Sequence, residues 1–162
     1  MSRIIVVLAT VLSLAFTPLA AQDFQKGVAA YQAGDYATAL QEWTPLAEAG
    51  YGNAQNNLGL MNYYGIGVPQ DYAEAVKWYR LAADQGNARA QTLLGYMYQN
   101  GHGVLQDNLM AYMWYNIGSA KGQVIGRTNR DKIAKEMTSA DISKAQAMAR
   151  VYMSSGYTKC GY

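Results

Sequence analysis

The segment from Tyr51 to Gly86 reappears 36 residues further on as Asn87 to Gly122, and no other property of the chain restricts its fold as severely. Ala54, Gln55, Leu58, Gly59 and Met61 recur as Ala90, Gln91, Leu94, Gly95 and Met97. Gly65, Gly67, Val68, Gln70 and Asp71 recur as Gly101, Gly103, Val104, Gln106 and Asp107. Ala75, Trp78, Tyr79 and Gly86 then recur as Ala111, Trp114, Tyr115 and Gly122. A partial third copy places Asp35, Ala39, Trp43 and Gly50 where Asp71, Ala75, Tyr79 and Gly86 stand. A unit of this length cannot bury its apolar face alone, so its neighbours in the array must cover it.

Each unit reads as two helices. Ala54, Leu58 and Met61 follow the i, i+4, i+7 spacing of one helical face, and Gly59 beside them admits a close neighbour. Ala75, Trp78, Tyr79 and Ala82 repeat that spacing in a second helix, and Trp43, Trp78 and Trp114 are expected in the core. Between the helices, Gly65-Ile66-Gly67 and Gly101-His102-Gly103 supply positive φ for a reversal. Asp35, Asp71 and Asp107 stand as N-caps, with Glu74 placed to complete a capping box on Asp71. Gly50, Gly86 and Gly122 end the second helices, and Pro45 predicts a kink or a late helix start.

Ala-Gln-x-x-Leu-Gly-x-Met, then Gly-x-Gly-Val-x-Gln-Asp, then Ala-x-x-Trp-Tyr and a closing Gly resemble the Sel-one-like repeat (SLR) family, relatives of tetratricopeptide repeats. The likeness spans roughly residues 24–122: a tetratricopeptide-like unit at 24–50, marked by Gly34-Asp35-Tyr36, and two Sel-one-like repeats at 51–86 and 87–122. It implies an all-α fold, a short right-handed superhelical α-α solenoid of two-helix repeats, and an adaptor role. The remaining residues, 123–162, read as a C-terminal helical cap and tail, with helices at 124–137 and 142–153 and Thr138 and Asp141 as a capping pair. Arg127, Arg130, Asp131, Lys132, Lys135 and Glu136 give that cap the solvated polar face a solenoid end requires.

Residues 1–21 read as a cleaved signal peptide. Arg3 precedes the apolar run Ile4 to Phe16, and Pro18-Leu19-Ala20-Ala21 offers small residues at the expected cleavage point. As a helix that run reaches about 20 Å, short of the roughly 30 Å of a bilayer's hydrocarbon, so no integral membrane segment is expected after removal of the leader. The expected location is periplasmic or secreted, where ATP and NAD(P)H are not at hand.

Composition then limits the chemistry. One Cys excludes an internal disulfide framework, and one Cys with one His cannot make a structural zinc site. A formal charge of +2 is no nucleic-acid-binding balance. The chain carries no Gly-x-Ser-x-Gly, Ser-x-x-Lys, His-Glu-x-x-His or Cys-x-x-Cys, and nothing in the repeat selects an imidazole at His102. The expectation is therefore a non-enzyme with no metal and no cofactor, acting as a scaffold for protein–protein interaction in the cell envelope. Its partner is expected to be another envelope protein or peptide. By the resemblance, the alternative is a cell-wall or β-lactam-directed hydrolase or penicillin-binding protein, but the disulfide-stapled helix pairs of those relatives are absent here.

By analogy with tetratricopeptide units, the first helix of each pair lines the concave face. The candidate partner-binding residues are then Val28, Tyr31 and Gln32, followed by Asn56, Leu60, Tyr63 and Tyr64, and by Thr92, Tyr96, Gln99 and Asn100. Tyrosine with amides suits a peptide, because the rings give contact area at low entropic cost and the amides pair with backbone. Cys160, an odd cysteine near the chain end, is a candidate for an intermolecular disulfide to a partner.

Overall fold

The computed structural model describes residues 18–157; most of the expected leader and Cys160 lie outside the described residues. The order is α1 (Pro18–Gln32), α2 (Tyr36–Glu48), α3 (Gly52–Tyr64), α4 (Tyr72–Asp84), α5 (Ala88–Asn100), α6 (Asn108–Ala120), α7 (Val124–Ile133), a 3-10 turn (Ala134–Glu136) and α8 (Ser139–Ser154). Among the described residues there is no strand, and the chain is an all-α solenoid in which each helix from α1 to α6 packs on the next.

The recurring polar residues fix the helix ends. Asp35, Asp71 and Asp107 accept backbone N–H bonds from Thr38 (3.0 Å), Glu74 (2.9 Å), and Leu109 and Met110 (2.8 and 3.0 Å). The capping box at Asp71 does not close: Glu74 pairs with Lys77 at 2.7 Å, and the Asp71 N–H donates to the Asn62 carbonyl at 2.9 Å. Gln70 and Gln106 each donate back to the end of the first helix, at Tyr63 O (2.8 Å) and Gln99 O (2.9 Å), so the turn motif is held by its own glutamine. Helix α2 begins at Tyr36 and runs through Pro45, so no late start occurs there.

Two contacts made by the repeat motif join neighbouring elements. Gln55 donates to Ala47 O at 2.9 Å and Gln91 to Ala83 O at 3.1 Å, each tying a first helix to the end of the preceding unit. Gly59 and Gly95 lie against aromatic rings rather than backbone: a Cβ on Gly59 would stand 2.5 Å from Tyr79, and one on Gly95 2.5 Å from Tyr115. Gly27 faces Trp43 in the same way, so all three units pack a first-helix glycine under a second-helix ring. Gly103 has φ +70°, and its Cβ would collide with the Tyr72 carbonyl.

Tryptophan burial departs from the sequence expectation at one position. Trp43 and Trp114 are buried at 2% and 0% exposure, whereas Trp78 is only partly buried against the α1–α3 core. Cover makes the difference, since Tyr152 of α8 stands edge-on to Trp114 at 5.1 Å. Helix α8 packs chiefly on α6 and also reaches α4, where the Tyr152 hydroxyl donates to Asp84 at 2.5 Å. Nor is Arg130 simply solvated: its guanidinium bonds Asp131 and reaches Asn116 and Ser119 on α6 at 3.2 and 3.3 Å.

Candidate functional site

The first helices of successive units present a continuous inner face. Val28, Tyr31 and Gln32 of α1 meet Asn57 and Leu60 of α3 and Arg89 of α5 around a cavity of about 260 Å³, with Trp43 of α2 beside it. Four of the residues expected from sequence, Val28, Tyr31, Gln32 and Leu60, are thus gathered on one site. Asn57 and Arg89 continue into an adjoining cavity of about 450 Å³, whose wall is rich in amides: Asn53, Asn56, Asn87 and Gln123. Asn87 is locked there, capping α5 through Ala90 N–H (3.0 Å) while donating to Asn53 at 3.1 Å.

A third cavity, of about 320 Å³, is lined by Tyr63, Tyr64, Leu93, Tyr96 and Met97. Tyr64 and Tyr96 are 61% and 37% exposed, which is unusual for large rings and leaves them available to a partner. Tyr63 stands at right angles to Tyr64, with 4.7 Å between ring centroids and 87° between planes, and edge-on to Tyr96 at 6.1 Å. Burial, and then the neighbouring Tyr96 hydroxyl, hold the Tyr63 phenol above its ordinary range.

His102 has a packing role that the repeat pattern did not suggest. Its ring stacks on Tyr72 at 4.5 Å and 6°, with Nδ1 3.4 Å from the Tyr63 hydroxyl. The turn of one repeat is thereby fastened to the preceding one. Among the described residues no three His, Cys, Asp or Glu side chains gather as a metal site.

The other sequence candidates are taken up by packing or by helix ends, although Asn56 also lines a cavity. Asn56 is buried at 4% exposure in the wall of the amide-rich cavity, and Thr92 at 6%, with its hydroxyl held by Ala88 O at 3.1 Å. Thr92 fills the space between Gly118 of α6 and Gly126 of α7. Gln99 accepts from the Tyr115 hydroxyl at 2.6 Å, and Asn100 folds back on Tyr96 O at 2.8 Å, so both serve the helix end. Asn57, Arg89 and Leu93 were not anticipated. Asn53, Asn57, Leu60 and Tyr64, at i, i+4, i+7 and i+11, form the inner stripe, and the same offsets find Arg89, Leu93 and Tyr96 in the next unit.

Stacked helix pairs with a lined inner face define a repeat scaffold of the α-α solenoid class. The chain belongs to the Sel1 repeat family: the model of that repeat matches residues 52–87 and 88–123. A Sel1 repeat protein from Oxalobacter formigenes is similar over 70% of this chain and 88% of its own, at 30% identity and a TM-score of 0.64. A protective antigen of uropathogenic Escherichia coli displaying an SLR fold is 26% identical, with a TM-score of 0.80 over 88% of this chain. This chain covers about a third (33%) of that protein's length. No match was found among curated proteins.

Proposed function

We propose that this protein is an exported adaptor that holds a segment of another envelope protein along the inner face of α1, α3 and α5. The observation that carries the reading is the set of three cavities along successive first helices, two of them adjoining, lined by tyrosines, amides and one arginine. Rings give a partner rigid contact area, and amides answer its backbone groups. The leader-like residues 1–21 support export to the periplasm or medium. Among the described residues, no helix is long and apolar enough to cross a membrane.

The test is in-cell photocrosslinking from position 64 in the groove and from Leu81, an exposed residue of the second helix α4. The reading expects a discrete crosslinked partner from position 64, in the periplasmic fraction, and none from position 81. Equal products from both positions, or a protein retained in the cytoplasm with its first 21 residues intact, would overturn it.

A further inference from the structure

We infer that the groove takes an extended polypeptide segment with an acidic side chain over Arg89 and an apolar side chain next to it, between Val28, Tyr31 and Leu60; this rests on the scaffold reading above. Arg89 and Asn57 belong to both the 450 Å³ and the 260 Å³ cavities, so they mark the middle of a channel rather than its end. A chain lying there passes over Arg89, which favours an internal Asp or Glu over a terminal carboxylate.

Charge supports the acidic residue. Among the described residues, Lys26 pairs with Glu42, Lys77 with Glu74 and Arg130 with Asp131, and no such ion pair engages Arg89. The described lining of both cavities contains no Asp or Glu. A segment laid over that guanidinium removes water from it, and a carboxylate offsets the loss where an apolar or basic residue does not. Around it, Asn53, Asn57 and Gln123 supply both donors and acceptors to an extended backbone, whose N–H and C=O groups are not used within the segment itself.

Apolar specificity comes from the neighbouring cavity. Val28, Leu60 and the rings of Tyr31 and Trp43 bound about 260 Å³, enough for a leucine- or phenylalanine-sized side chain. At roughly 3.3 Å per residue, an extended chain brings its next same-side residue there two positions from the acidic one.

The experiment is selection of random twelve-residue peptides, displayed without a free C-terminus, on the exported protein and on its Arg89→Glu variant. The wild type should enrich peptides with Asp or Glu one to three residues from Leu, Ile, Phe or Tyr. The variant should enrich Lys or Arg in the same place and bind the wild-type peptides about tenfold more weakly or worse. Arg89→Gln, with intermediate loss, serves if the reversed charge lowers the melting temperature. Enrichment without an acidic preference, or an unchanged preference in Arg89→Glu, would each overturn the inference. Leu60→Glu separates the two readings. If acid-free peptides bind and Leu60→Glu abolishes that binding, the scaffold stands and the acidic preference falls; if no peptide is enriched above an unrelated helical protein, both fall.

Discussion

Replacing Gly59 with alanine puts one methyl group into the contact that joins the two helices of a repeat. An alanine Cβ at that position would lie 2.5 and 2.6 Å from two ring carbons of Tyr79. Carbon atoms rest at about 3.5–4.0 Å, so the ring must retreat by about 1 Å. Tyr79 has 0% exposure and packs in the core with Ala75, Val76, Ala82 and Ala83, so it has little room to move. Overpacking of this kind costs about 1–3 kcal/mol, and the helix preference of alanine over glycine returns about 1 kcal/mol. With the ring enclosed, the upper half of the range applies, leaving a net loss of about 1–2 kcal/mol. Thermal unfolding followed by circular dichroism should show a melting temperature lower by roughly 3–6 °C. Gly52→Ala is the control in the same helix: its nearest foreign atom is Gln85 at 3.7 Å, so it should be neutral or stabilise by about 0.5 kcal/mol. In a Tyr79→Leu background the Gly59→Ala penalty should disappear. A Gly59→Ala protein melting at or above the wild type would refute the packing argument.

Further expectations are independent of that contact. Trp114→Ala should cost about 3–5 kcal/mol in urea unfolding, and Trp78→Ala clearly less, because only the first is fully covered. Bonds from the Thr38 side chain and N–H hold the Asp35 carboxyl below its ordinary value of 3.8. Its stabilising contribution is therefore present above that value and lost as pH falls through the lower folded one, so Asp35→Asn should flatten the acid limb of the stability curve below about pH 4. Tyr64→Ala with Tyr96→Ala should abolish partner capture while changing the melting temperature little, since both rings are exposed; a large loss of stability would make them core. If Cys160 bridges to a partner, a non-reducing gel of envelope extract should show a shifted band that Cys160→Ser removes.

The groove was only half legible in the sequence. Adjacent positions on a helix differ by about 100°, so Asn56 is buried at the wall of one cavity while Asn57 beside it borders two. Thr92, 36 residues after Asn56, is likewise buried but lines neither cavity. Arg89 carries no repeat signal, because its equivalent 36 residues earlier is the uncharged Asn53. His102 looked arbitrary within its own turn, since its partners Tyr63 and Tyr72 belong to the preceding repeat.

By itself the sequence determined the array: two-helix units, their capping aspartates, their turn glycines, and the 36-residue spacing at which these recur. Those features act over a few residues, through N–H groups at a helix start or a backbone that must take positive φ, and local chemistry repeats wherever the residues repeat. Tertiary structure alone decided which copies of a repeated residue are covered and which face outward. Trp78 and Trp114 occupy one position in the motif, yet only Trp114 has Tyr152 against it. Gln55 has Gln85 as a hydrogen-bond donor to its Oε1 at 2.7 Å, while at the equivalent place after Gln91 stands Lys121, which bonds Gly86 O at 2.8 Å instead. Each such outcome depends on the unit stacked alongside, and so does the inner face, which exists only once α1, α3 and α5 lie side by side.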